Sequence, residues 1–298
     1  MITEKLEMWQ VLQRQALPLE IKVQMSLNRV RVWYDEFLGE VYVAFSGGKD
    51  STVLLHLVRS LYPEVIGVFV DTGLEYPEVR EFVKSFENVV WLRPAMNFKE
   101  IIARYGYPII SKEVAHKIDE IRNTKSEKLR NKRLYGDDRG YGKLADKWKF
   151  LINSNFKISD KCCDILKINP SKKYERETGQ RCIRGAMASE SRLRLMNYLR
   201  HGCNSFGNRP MSNPIAFWTD NDVWDYIAKY NLRYCKIYDL GYKRTGCMFC
   251  MFGIHMSGGK DKFELMKKTH PKMYDYCVNK LGCGEVMRFV TNKMEFKV

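Results

Sequence analysis

The chain has 298 residues, enough for one large domain or a main domain with a smaller appendage. Its apolar share of 45% supports a core without disulfides or lipid, and no run of about eighteen apolar residues offers a membrane span. The formal net charge of +15 is high for this size, and the opening Met1-Ile2-Thr3-Glu4-Lys5 lacks the apolar stretch of a secretory signal, so a cytoplasmic protein is expected.

Residues 4–38 read as helix, because Leu6, Trp9, Leu12, Leu17, Ile21, Met25, Val30, Trp33 and Phe37 recur at helical intervals, with a break near Pro18. A strand follows at 41–45. It passes through Ser46-Gly47-Gly48-Lys49-Asp50-Ser51 into a helix that runs to about Leu61. The amino end of a helix offers unpaired N–H groups and a positive dipole end to an anion. Gly47 and Gly48 lack the Cβ that would keep a phosphate away, and Ser46 and Ser51 add hydroxyl donors. Lys49 adds a mobile positive charge, and Asp50 a carboxylate for Mg2+. The spacing is not that of the common P-loop, which has four residues between its first Gly and the Gly-Lys pair. The hexapeptide resembles, letter for letter, the Ser-Gly-Gly-x-Asp-Ser loop of the PP-loop ATP pyrophosphatases, and that resemblance implies an adenine nucleotide.

A second apolar strand, Val65 to Val70, ends in Asp71-Thr72-Gly73; a helix at 77–86 and a strand at 89–92 follow. Such alternation indicates βαβ units and a parallel sheet, whose ligands lie beyond the carboxyl ends of the strands. Ser46 and Asp71 are therefore expected to face one pocket. Residues 99–133 read as two helices around Gly106-Tyr107-Pro108, the second strongly charged, and 136–142 as a loop. Basic residues crowd 112–149: Lys112, Lys117, Arg122, Lys125, Lys128, Arg130, Lys132, Arg133, Arg139, Lys143, Lys147 and Lys149. Tyr135, Tyr141 and Trp148 are interleaved with them, the composition of a surface that pairs phosphates and stacks bases, so tRNA or DNA is the expected partner.

Further strands are expected at 181–187 and 211–215, a helix at 189–200, and a helix N-capped by Thr219; the last forty residues are mostly helical and basic. The expected organisation is a helical extension over 1–38, a nucleotide domain over 39–255 with a basic insertion at about 112–150, and a helical basic segment over 256–298.

Nine cysteines in a cytoplasmic chain argue for metal or catalysis rather than bridges. Cys162 and Cys163 are adjacent, and Cys247-Met248-Phe249-Cys250 has C-x-x-C spacing. Neighbouring side chains normally diverge, so the first pair would serve one centre only if the backbone is locally distorted. Four thiolates satisfy either zinc or a [4Fe–4S] cubane, and spacing alone separates neither.

Over roughly residues 40–255 the chain is similar to the phosphoadenosine-phosphosulfate reductase family. The resemblance is carried by Ser46 to Ser51, Asp71-Thr72-Gly73 with Pro77-Glu78, Cys162-Cys163, Gly185 with Ser189-Glu190-Ser191-Arg192, Asn213-Pro214-Ile215 with Trp218, Asp222-Val223-Trp224, and Tyr238 through Cys247. It implies a Rossmann-like α/β fold, a parallel sheet with flanking helices. It also implies a [4Fe–4S] cluster on Cys162, Cys163, Cys247 and Cys250 rather than zinc, and makes Arg192, Arg194 and Arg244 candidate phosphate or sulfate contacts. Asp71 would contact ribose, adenine or metal.

Two departures matter. The reductases carry a carboxy-terminal Glu-Cys-Gly-x-His segment with a nucleophilic thiol, whereas this chain has Gly282-Cys283-Gly284-Glu285 and no histidine after it. Lys49 and Asp50, which a sulfonucleotide reductase does not need, are retained. The expected chemistry is therefore attack of an acceptor on ATP with release of pyrophosphate, in which Lys49 and Asp50 act, followed by sulfur transfer from a donor protein. The alternative is a thioredoxin-dependent sulfonucleotide reductase using Cys283.

Overall fold

The apolar runs between residues 41 and 92 are strands in the computed structural model, which describes residues 5–207 and 209–295. Residues 1–4 of the expected helical extension and 296–298 of the carboxy-terminal segment lie outside the described residues. The chain opens with α1 (Met8–Gln15), α2 (Leu19–Glu36), β1 (Val41–Ala44), α3 (Lys49–Arg59), β2 (Gly67–Val70), α4 (Pro77–Lys84) and β3 (Val89–Leu92). Next come α5 (Phe98–Arg104), β4 (Ile109–Ile110), α6 (Lys112–Asn123), α7 (Glu127–Tyr135), α8 (Lys161–Cys163) and α9 (Asn169–Thr178). The remainder is β5 (Arg181–Ile183), α10 (Arg192–His201), β6 (Asn204–Ser205), β7 (Met211–Ser212), α11 (Asp220–Lys229), β8 (Met251–Phe252), α12 (Ser257–Thr269), α13 (Pro271–Asp275) and α14 (Cys283–Glu295).

These elements group into two compact units. The first takes residues up to 71, then 76–92 and 171–238, and holds a six-stranded sheet of order β3-β2-β1-β5-β7-β6. All pairings are parallel except β6 with β7. Val41, Tyr42 and Val43 are buried on both faces, as a central parallel strand covered by helices requires. The strand order reverses at β1, whose neighbours are β2 and β5, and this topological switch is where such sheets bind ligands.

In this unit the amino-terminal helices join the core. Val11 and Val23 pack with Val53, Leu57, Phe217 and Trp218. Lys22 buries its ammonium between both carboxylate oxygens of Asp222, 2.7 Å each, and also donates to the Gln15 carbonyl. Asp222 in turn accepts from the Thr219 N–H and hydroxyl at 2.7 and 2.8 Å, closing the cap of α11. The buried pair thus has the extra hydrogen bonds that its desolvation requires.

The second unit comprises residues 72–75, 93–170 and the chain from 239 onward. Its small sheet pairs β4 with β8 in parallel. The single charged helix expected after Pro108 is two helices. Thr124 turns extended at the end of α6, and the Ser126 hydroxyl accepts from the Leu129 N–H to start α7. In the first unit the strand expected over 211–215 stops at Ser212, because Pro214 has no N–H to donate to a ladder. Among the described residues no helix is long and apolar enough to cross a membrane.

Candidate functional site

The loop after β1 holds itself together before any ligand is considered. Gly47 has a φ of +71°, and a Cβ there would sit 2.7 Å from Val83 Cγ2, so both conformation and space demand glycine. Gly48 caps α3 through its backbone. The Ser51 hydroxyl donates to the Gly48 carbonyl at 2.8 Å, accepts from the Ser46 N–H at 3.2 Å and lies 3.1 Å from the Ser46 hydroxyl. The Lys49 N–H donates to the Tyr238 hydroxyl at 2.9 Å. Ser51 therefore braces the loop, and Ser46 is the exposed hydroxyl.

Beside this loop lies a cavity of about 540 Å³, within the size range of small-molecule sites. Its walls include Ser46, Asp50 and Ser51 from the loop, Arg184 and Gly185 beyond β5, and Arg194 on α10. The β5 end is pressed onto the loop, for a Cβ on Gly185 would come within 3.0 Å of the Asp50 carbonyl oxygen. Arg194 pairs with Glu190, which precedes the Ser191 cap of α10. Arg184 escaped the sequence reading, which placed it inside a strand over 181–187; β5 ends at Ile183, so Arg184 stands just beyond its carboxyl end.

Other expected site residues are not among its walls. Asp71, expected to share a pocket with Ser46, does not line this cavity. It directly follows β2, the neighbour of β1 on the side away from β5, and its buried carboxylate accepts from Arg80 Nη2 at 2.7 Å. Lys49 is buried, and its ammonium pairs with Asp50 at 2.8 Å and with Asp220, 5.9 Å from the centre of the Trp224 ring. Asp220 also escaped the sequence reading, since its contact with Lys49 spans 171 residues. Arg192 is exposed and outside the cavity wall; Arg244 is exposed and belongs to the second unit.

In the second unit Cys162, Cys163, Cys247 and Cys250 line one cavity, closed by Leu74, Phe98, Pro108, Leu166 and Phe252. Cys162 and Cys163 keep helical backbone in α8, and a π-helical turn over Asp164–Ile168 directly follows them. Burial pushes the Cys162 thiol well up, and the neighbouring Cys247, Cys163 and Cys250 add to the shift. Burial likewise raises Cys163 and Cys250, opposed by Lys112 at the first and Lys262 at the second. Burial alone would lower Lys167, but Cys247 and Glu75 hold it above its ordinary value.

Among the described residues no three Cys, His, Asp or Glu side chains converge closely enough for one metal ion. Four thiols line one apolar, lysine-flanked cavity, a donor set of the kind and number that zinc or a cubane takes. Cys283 is in another setting. It is fully buried against Cys277, and that contact together with burial raises its thiol far above the ordinary value, which counts against a nucleophile.

The basic segment is less open than its composition implies. Arg122 donates to the carbonyls of Leu151, Ile152, Ser154 and Phe156, Arg133 pairs with Glu120, and Lys143 and Lys149 pair with Asp146. Trp148, expected to stack on bases, is buried against His255, 5.1 Å between ring centres. Tyr135 and Tyr141 are exposed.

Sheet order and glycine loop define a parallel α/β protein of the PP-loop type. The model of the phosphoadenosine phosphosulfate reductase domain matches residues 40–134 and 110–252, and the chain belongs to the phosphoadenosine phosphosulfate reductase family. An uncharacterized protein of Methanocaldococcus jannaschii is 24% identical over 264 residues, 86% of this chain and 52% of the relative, so the chain spans about half the length of that protein. An adenosine 5'-phosphosulfate reductase of Bacillus mycoides is 27% identical over 225 residues, 76% of this chain and 79% of the relative. The crystal structure of phosphoadenylyl-sulfate reductase from Candida auris, a phosphate complex, aligns with 78% of this chain and 96% of its own at 17% identity and a TM-score of 0.44.

Proposed function

We propose that the chain is an enzyme that adenylates an acceptor with ATP and Mg2+, releases pyrophosphate and passes sulfur to the activated position, the acceptor being a nucleic acid. The observation that carries this reading is the complete phosphate loop, Ser46 to Ser51, opening on the switch-point cavity with Lys49 and Asp50 both retained. An acceptor oxygen attacks the α-phosphorus, the bond to the β-phosphate oxygen breaks, and pyrophosphate leaves. Backbone N–H groups of the loop, Ser46 and Lys49 would hold the β- and γ-phosphates, and Asp50 the magnesium ion. Arg184 and Arg194 would pair with oxyanions on the cavity side. Positioning and charge neutralisation account for most of such catalysis. Sulfur from a donor protein then displaces AMP. Cys162, Cys163, Cys247 and Cys250 would hold a [4Fe–4S] cluster, which when bound supplies a site for carrying sulfur.

The test is pyrophosphate release from ATP by anaerobically purified protein, with and without bulk tRNA or DNA. Release stimulated by one nucleic acid is expected, and lost in Asp50→Asn. The second reading, a thioredoxin-dependent sulfonucleotide reductase, is favoured by the likeness to the Bacillus mycoides enzyme. It predicts no release under any condition and sulfite formation that depends on a thiol; the burial of Cys283 tells against that thiol being Cys283.

A further inference from the structure

The C-x-x-C turn receives a cation from a part of the chain that the family match, ending at residue 252, does not reach. Lys262, on α12, donates its ammonium to the carbonyl of Cys247 at 2.7 Å and to that of Cys250 at 3.1 Å. Its ammonium also stands 5.3 Å from the centre of the Phe263 ring. Within the turn, the Cys250 N–H donates to the Cys247 carbonyl at 3.3 Å. Both carbonyls of the turn are thus gathered on one side chain; burial lowers the Lys262 pKa, and the nearby Cys250 and Cys247 thiols oppose that fall.

We infer that Lys262 is the positioning residue of the cysteine centre: it clamps the C-x-x-C turn so that both thiols face the common cavity, and its charge offsets that of the thiolates. This rests on the reading that the four cysteines hold a cluster. Four deprotonated thiols in an apolar cavity are costly unless cations stand close by, and a cation beside a cluster makes its reduced, more negative state easier to reach. A neutral side chain at 262 would lose the second effect. A side chain without donors would lose both.

The experiment uses the full chain, purified anaerobically and reconstituted with iron and sulfide, with three variants: Lys262→Arg, Lys262→Gln and Lys262→Met. The readouts are iron and sulfide per chain, the rate of iron loss to a chelator, and the midpoint potential from a redox titration followed by electron paramagnetic resonance. Lys262→Met should lose iron about 10- to 100-fold faster, the usual weight of a group that orients metal ligands. Lys262→Gln keeps donors for the carbonyls, so it should retain iron better than Lys262→Met but show a lower midpoint potential than wild type. Lys262→Arg should restore that potential. Variants matching wild type in both chelator loss and potential would overturn the inference while leaving the cluster reading intact. A wild-type chain that takes up no iron and sulfide would remove the cluster reading and the inference with it.

Discussion

The ammonium of Lys49 is held by Asp50 and Asp220 beside the Trp224 ring, so a triphosphate must compete with Asp220 for its main cationic contact. The Asp220 side chain is 67% exposed, and a pair of that kind is worth up to about 1 kcal/mol. Asp220→Asn should therefore tighten MgATP binding by about two- to fivefold, measured by calorimetry, whereas Lys49→Ala should weaken it. Weaker binding in Asp220→Asn would mean that Asp220 aims Lys49 at the phosphates instead of withholding it. The hexapeptide itself was legible because its chemistry is local: glycine for the left-handed turn at Gly47, a hydroxyl at Ser51 to brace it. Asp220 and Arg184 were not, because the contacts that place them arise only when distant segments meet. Asp71 was legible as a strand end because the apolar run before it is local, and β2 is the parallel neighbour of β1.

At the scale of elements, α3 carries the loop and rests on α11 through His56, whose Nδ1 shares a 2.8 Å hydrogen bond with the Tyr226 hydroxyl. Burial holds His56 below its ordinary value of 6.5, so the folded chain favours the neutral imidazole. The unfolded chain binds the proton more readily. This contribution to stability is complete above about pH 6.5 and is lost as pH falls through the lower folded value. Thermal unfolding between pH 7.5 and 5 should show a smaller drop in midpoint for His56→Gln than for wild type; parallel curves would place the acid sensitivity elsewhere. Helix periodicity and caps made most elements readable, including the Thr219 cap of α11. The break between α6 and α7 was hidden because charged residues recur on both sides of it, Arg122 before and Lys125 after, and the Ser126 cap marks the restart.

Across the whole molecule the net charge of +15 gives a long-range attraction to polyanions, yet many basic side chains of the 112–149 segment serve the fold. Lys125 and Lys128, in the α6–α7 break and at the start of α7, are exposed, as are Tyr135 and Tyr141. The double variant Lys125→Glu/Lys128→Glu should weaken tRNA or DNA binding, and flatten its salt dependence by about 0.9 log units per lost duplex phosphate contact. Unchanged affinity and slope would exclude this segment as the contact surface. Composition announced the charge, but it could not separate an arginine spent on carbonyls, such as Arg122, from a lysine in water.

The chain passes between its two units after residues 71, 75, 92, 170 and 238. No single proteolytic nick can release either unit, and neither is encoded as a continuous stretch. During synthesis β1, β2 and β3 emerge first, but β1 must wait for β5, whose Arg181 pairs with Val41. Until then the nascent sheet presents the bare edge of what becomes a central strand, the kind of edge that recruits other chains. The sheet therefore cannot be completed until residue 181 and its neighbours in β5 have been made.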